Sequence, residues 1–128
     1  DIGDVLPLQK ELFDLAIIDE ASQCDIASSL PILQRAKRAV IVGDAKQLRH
    51  ISFLSLSRQN QLLQENNLQN IDFDKLNYRE KSVLDLVADN IKAQNHQVFL
   101  NEHFRSLTPI IQFSNHLFYA SNLKIMRQ

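Results

Sequence analysis

Two short apolar runs, each ending abruptly at acidic residues, organise the first third of the chain. Phe13-Asp14-Leu15-Ala16-Ile17-Ile18 stops at Asp19-Glu20, and Arg38-Ala39-Val40-Ile41-Val42 stops at Gly43-Asp44. Brief runs of aliphatic and β-branched residues bounded by turn chemistry predict strands buried on both faces. Between them Ile26, Ala27, Leu30 and Leu33 recur at helical spacing, and Pro31 inside that stretch predicts a kinked helix or two short ones. Strand, helix and strand in this order predict a parallel α/β unit.

The pattern loosens after Gln47. Residues 59–70 are mostly Asn and Gln, broken by Leu62, Leu63 and Leu68, which predicts an exposed helix and loop. Ser82-Val83-Leu84-Asp85 has the form of a capping box, after which Leu84, Val87, Ala88 and Ile91 make a helical apolar stripe. Gln97-Val98-Phe99-Leu100 reads as a third strand. Thr108-Pro109 opens a last helix, with Thr108 as N-cap and Ile110, Phe113, Leu117 and Phe118 as its buried stripe. No internal repeat is visible, and the fold class is α/β.

Composition narrows the field. A chain of 128 residues suits one domain or a fragment of a larger one. The formal net charge of −1 supplies no overall basic field to attract nucleic acid, although a local basic strip would survive the averaging. Cys24 is the single cysteine, so neither an internal disulfide nor a CxxC metal knuckle can form, and a reducing, intracellular (cytoplasmic) setting is the simpler expectation. No stretch approaches the roughly 20 apolar residues that span a bilayer, so no membrane partner is expected. The opening Asp1-Ile2-Gly3-Asp4 lacks both Met and a signal-peptide layout, as in a processed or excised piece.

The candidate chemistry lies at the strand ends, where ligands gather in open α/β sheets. Adjacent residues leaving a strand point in different directions, so Asp19 and Glu20 can do two jobs: orienting Mg²⁺ through its water shell, and taking a proton from an attacking water. Equally, Asp19, Ser22 or Asp25 can cap the following helix. At the second strand end Gly43 permits a sharp exit, Asp44 offers a carboxylate, and Gln47 both donates and accepts. The alternative is a polar turn with a capping Asp. After the third run, Arg105 has a planar fork suited to phosphate, or it is a surface Arg paired with Glu102. Phe104 either stacks on a base or packs in the core. The four histidines lack metal-ligand spacing.

Each signal is modest alone, but their order is informative. IIDEASQ (17–23), VGDAKQL (42–48) and LNEHFRSLTPIIQFSNHLFY (100–119) closely resemble motifs II, III and IV of superfamily 1 helicases. The DEASQ and HFRS…FSN…FY forms look most like the B branch, the 5′-to-3′ translocases on DNA or RNA. Ser82-Val83-Leu84-Asp85-Leu86 resembles the short helix between them. The resemblance implies ATP and Mg²⁺ as cofactors, single-stranded DNA or RNA as partner, and two RecA-like domains. It assigns Asp19 to Mg²⁺, Glu20 to water activation and Gln47 to sensing the γ-phosphate, with Asp44 coupling that state to nucleic acid. Arg105 is implied to reach the γ-phosphate across the interdomain cleft, Phe104 to stack on a base in place of the usual Tyr, and Gln23 to lie beside the metal and touch nucleotide.

Two departures accompany the resemblance. Arg49-His50 follow Leu48 where prolines are usual. Nothing matches G-x-x-x-x-G-K-S/T, and the chain's two glycines are too few for that loop. The expectation is therefore a partial RecA-like parallel sheet lacking the phosphate-loop strand. Residues 1–100 would belong to the first motor domain, and residues 101–128 to the junction and the start of the second. Such a piece is expected to be inactive alone and prone to self-associate through its open sheet edge. A degenerate RecA-like module serving as a protein-interaction scaffold is the alternative. A response-regulator-type domain accounts for the acidic strand end but not for the ordered GDxxQL and FRS segments.

Overall fold

The computed structural model describes residues 5–69, 77–91 and 96–127. It is an α/β structure with short parallel sheets, and it divides into two compact units, residues 1–90 and 91–128.

In the first unit, β1 (Ala16–Ile18) pairs in parallel with β2 (Ala39–Ile41) in the register Ala16↔Ala39, Ile17↔Val40, Ile18↔Ile41. Both strands come from the aliphatic runs. Their ladder continues past the assigned ends, through Val42 N–H to Ile18 O at 2.8 Å and Ala21 N–H to Val42 O at 2.9 Å. They are joined by α1 (Ile26–Arg35), whose N-cap is Asp25, accepting from Ser28 N at 2.8 Å. Pro31 lies inside this helix without dividing it into two.

The core consists of Ile18, Ala21, Ile26 and Val83, with Cys24, Leu33, Ile41, Leu84, Leu86 and Val87 packed against it. These residues come from β1, β2, α1 and α3 (Val83–Asn90), so helices cover one face of the sheet. The expected burial of both strand faces does not hold. Ala16 and Ile18 are buried while Ile17 is 65% exposed, and its register partner Val40 is 45% exposed. Alternation follows from the pleat, since successive side chains point to opposite faces and only one is covered.

The capping box is present, and Leu84 and Val87 of the expected stripe pack against the core, but Val83 and Leu86 join them there and Ala88 is exposed. Along the chain, β2 is followed by α2 (Leu56–Glu65), the predicted Gln-rich helix, N-capped by Ser55 and largely exposed, and then by α3. The loop part of that expectation reaches residue 70, outside the described residues.

The second unit pairs β3 (Glu102–His103) in parallel with β4 (Lys124–Ile125) around α4 (Thr108–Phe118). Three expectations are corrected here. Residues 97–100 form no strand: they are exposed, Val98 at 81%, and no strand of the unit lies alongside them to complete a ladder among the described residues. Leu107, not Thr108, is the N-cap of α4, because the Thr108 hydroxyl donates to Arg127 O at 2.9 Å instead. The buried face of α4 carries Ile111 and Asn115, whereas Ile110, Phe113, Leu117 and Phe118 are all more than half exposed. Asn115 fixes that orientation by clasping the return turn: its Nδ2 donates to Leu123 O at 3.0 Å and its Oδ1 accepts from Leu123 N at 2.9 Å.

Candidate functional site

Because β1 and β2 run parallel and in register, their C-terminal tips lie at one edge of the sheet. That edge carries Asp19, Glu20 and Gln23 after β1, and Asp44 and Gln47 after β2. Asp19, Glu20 and Gln23 are exposed. The helix cap considered for Asp19 is supplied by Asp25, which leaves the Asp19 and Glu20 carboxylates outside the helix terminus.

The turn after β1 has a specific backbone. Glu20 sits at φ 51°, in the left-handed region, which costs a non-glycine residue on the order of 1–2 kcal/mol. Local bonds hold it there: Glu20 N–H donates to Asp19 Oδ1 at 2.9 Å, and Gln23 N–H donates to Glu20 O at 2.8 Å. Gln23 Nε2 also approaches Glu20 Oε2 at 3.4 Å, a long contact that orients the carboxylate only weakly. The left-handed residue thus lies at a strand tip that presents two exposed acids.

The turn after β2 is built on Asp44. Its Oδ1 accepts from Lys46 N at 2.8 Å and its Oδ2 from Gln47 Nε2 at 3.0 Å. One amide hydrogen of Gln47 is thereby engaged, and its carbonyl oxygen is available to accept from a water or ligand. Gly43 has no positive φ. Its contribution is the absence of a side chain, not the sharp exit expected from the sequence.

Three amides from two other segments, α3 and the loop after β2, brace the first turn. Leu84 N–H donates to Ala21 O at 3.3 Å, Val83 N–H to Cys24 O at 3.0 Å, and His50 N–H to Ser22 O at 2.9 Å. Ala21 and Ser22 are consequently buried directly beside the exposed acids. Burial alone would raise the Asp25 carboxyl, but hydrogen bonds from Ser28 and the nearby His50 outweigh it and hold Asp25 below the ordinary aspartate range. Sequence reasoning did not find this bracing, because backbone amides carry no residue-type signal. It also missed Arg35, buried at the end of α1, which donates to the carbonyls of Leu6, Pro7 and Pro31.

In the second unit Phe104 is 60% exposed and Arg105 is exposed. Phe104 is therefore not a core residue of its unit. The 103–106 turn is held by Ser106 N–H donating to His103 Nε2 at 2.9 Å, and Arg105 O accepts from Arg127 Nη1 at 2.8 Å. The considered Arg105–Glu102 pair does not form among the described residues.

A pocket of about 370 Å³ is lined by Arg49, Asn77, Glu80, Lys81, Asp85 and Asp89 and includes none of the strand-tip residues. Both of its cations are paired within it, Arg49 with Asp85 and Lys81 with Asp89, which argues against it as the reacting centre. Among the described residues no three His, Cys, Asp or Glu side chains are grouped to hold a metal by themselves, and no helix is long and apolar enough to cross a membrane.

Comparison with known proteins bears on the family that the chain resembles. The family model for an AAA domain matches residues 4–53, the stretch that holds both tips. An uncharacterized ATP-dependent helicase of Mycoplasma genitalium is 30% identical over 123 residues, covering 95% of this chain and 10% of the relative. Its homologue in Mycoplasma pneumoniae, also named an ATP-dependent helicase, is 28% identical over 123 residues, with the same 95% and 10% coverage. The chain is helicase-like. This helicase-like chain spans about a tenth of the length of the curated relatives it matches. No solved structure matches it.

Proposed function

We propose that the chain is part of the ATP-driven motor of a superfamily 1 helicase of the B branch, coupling ATP hydrolysis to 5′-to-3′ movement on DNA or RNA and to strand separation. The observation that carries this reading is the pair of adjacent parallel strand tips, one bearing Asp19-Glu20 and the other Asp44 and Gln47. Residues 1–100 are assigned to the first RecA-like domain and residues 101–128 to the junction and the beginning of the second, within an intracellular protein.

The donor set fits a hydrated magnesium ion. Mg²⁺ keeps several waters and takes one or two carboxylates plus substrate phosphates, and the exposed Asp19 carboxylate at a strand tip meets that need without a protein cage. When bound, the ion supplies charge neutralisation at the phosphates. The chain's own residues do the rest. Asp19 holds the hydrated ion, and Glu20, free of the helix cap, accepts a proton from the attacking water. Gln47, one amide hydrogen tethered to Asp44, presents its carbonyl oxygen to that water and keeps its second amide hydrogen for the γ-phosphate. Gln23 steers the Glu20 carboxylate, Arg105 contributes a guanidinium to the developing charge, and Phe104 offers an exposed ring to a base. By itself the chain lacks a phosphate-cradling loop and is proposed to be inactive.

The test is Glu20→Gln in the full-length natural chain. ATP hydrolysis measured by phosphate release is expected to vanish, with nucleotide binding retained. Undiminished turnover would remove Glu20 as the base.

A further inference from the structure

A side chain at position 43 has no room. A Cβ placed there would lie 3.1 Å from the amide nitrogen of Ala21, 3.1 Å from that of Ser22 and 3.2 Å from Cδ2 of Leu84. Carbon contacts are most favourable at about 3.5–4.0 Å, so each neighbour would have to retreat by a few tenths of an ångström. They differ in their ability to do so. Leu84 is a rotatable side chain at the edge of the core. The Ala21-Ser22 backbone is buried and tied to three elements: to β2 through Ala21 N–H and Val42 O at 2.9 Å, to α3 through Leu84 N–H and Ala21 O at 3.3 Å, and to the loop after Gln47 through His50 N–H and Ser22 O at 2.9 Å.

Between Ile18, whose carbonyl accepts from Val42 N–H at 2.8 Å, and Ala21 the ties are only local. Asp19 and Glu20 are exposed, and the hydrogen bonds of Glu20 run to residues of its own turn. A displacement imposed at the Ala21 amide is therefore passed to Glu20, the residue already held at a left-handed φ of 51°.

We propose that Gly43 is a positioning residue for Glu20: its missing side chain lets the end of β2 seat the Ala21-Ser22 backbone so that the carboxylate one residue upstream stands where its chemistry requires. This rests on the reading of Glu20 as the base. It also gives the two strand tips a mechanical link, because Gly43 is the residue from which the Asp44-Gln47 turn departs.

The experiment compares Gly43→Ala, the double variant Gly43→Ala/Leu84→Ala, and Glu20→Gln in the full-length natural chain, by steady-state ATP hydrolysis and thermal denaturation. Misplacing a catalytic group by 1 Å costs on the order of 10²-fold in rate, so a shift of a few tenths is expected to lower kcat about tenfold with KM for ATP within about twofold. The double variant removes the soft Leu84 contact and leaves both backbone contacts, so it is expected to remain slow; if Gly43→Ala folds poorly, the double variant supplies the measurement. Wild-type kcat in Gly43→Ala, or recovery of kcat in the double variant, would show that position 43 matters only for packing and overturn the proposal. If Glu20→Gln keeps its turnover, the assignment of the base fails and the positioning role falls with it. An inactive Glu20→Gln beside an unimpaired Gly43→Ala overturns the positioning role alone.

Discussion

Ser82 and Asp85 hold each other at the start of α3. The Ser82 amide and hydroxyl reach Asp85 Oδ2 at 3.0 and 2.7 Å, and the Asp85 amide returns a bond to Ser82 Oγ at 3.2 Å. This reciprocal cap fixes where the helix begins, and so which amides face the strand-tip turn. Those amides belong to Val83 and Leu84, the donors to Cys24 O and Ala21 O. Removing the cap should therefore weaken the helix and the turn together. Ser82→Ala is expected to cost ~0.5–2 kcal/mol in chemical denaturation. An unchanged midpoint would show that the bonds contribute nothing net.

The same carboxylate sets a pH dependence. Burial alone would raise Asp85, but the Ser82 bonds, with Arg49 and Lys81 nearby, prevail and hold it below the ordinary range. A depressed folded-state value means that the unfolded chain binds the proton more readily, so stability rises with pH through that interval. The contribution is present above the unfolded value of about 3.9 and is lost as pH falls through the lower folded value. Asp25 adds in the same direction. Asp85→Asn is expected to flatten the acid limb of a stability-versus-pH curve. An identical limb in wild type and variant would contradict the assignment.

Arg35 anchors the segment before β1. Its Nε donates to Pro7 O at 2.9 Å, Nη1 to Pro31 O at 2.7 Å and Nη2 to Leu6 O at 2.9 Å, all from a buried guanidinium. Hydrogen bonds to charged groups contribute about 1.5–3 kcal/mol each, so Arg35→Ala is expected to cost about 3 kcal/mol or more in urea unfolding. A lysine carries the charge but cannot spread donors in a plane. Arg35→Lys is expected to recover less than half of the loss, and full recovery would mean that charge rather than geometry matters.

These residues also mark what the sequence could reveal. β1 and β2 were legible because their aliphatic runs stop at Asp19-Glu20 and Gly43-Asp44, and the cap of α3 because Ser82 and Asp85 have the right spacing. Residues 97–100 misled because an apolar run becomes a strand only where a partner completes its ladder. In α4 the periodicity gave a helix correctly but not which face is covered. Asn115 and Leu123 decide that through a contact across eight residues. The strand-tip side chains were readable by type. The amides of Val83, Leu84 and His50 that brace them, and the crowding around Gly43, arise only once distant segments meet.

Arg105 stands on an exposed turn without a carboxylate partner among the described residues, so its charge is not already neutralised. An arginine directed at the charge developing during phosphoryl transfer contributes on the order of 10³–10⁵ in rate. Arg105→Ala in the full-length natural chain is expected to cut kcat on that scale while ATP affinity changes far less. Equal losses in turnover and affinity would indicate that it binds ground and transition states alike.

The sheet's uncovered face carries the last expectation. Ile17 and Val40 are register partners and project side by side from the face that the helices leave open. Parallel strands are ordinarily covered on both faces, and contiguous exposed apolar surface promotes association. Within the second unit, Ile110, Phe113 and Leu117 of α4 are likewise exposed. The 128-residue chain expressed alone is therefore expected to sediment above its monomer mass of 14.7 kDa. The double variant Ile17→Lys/Val40→Lys should move it towards the monomer, since neighbouring ammonium groups repel and resist desolvation. A wild-type chain that sediments as a single monomeric species at micromolar concentration would show that this face tolerates water without a covering partner.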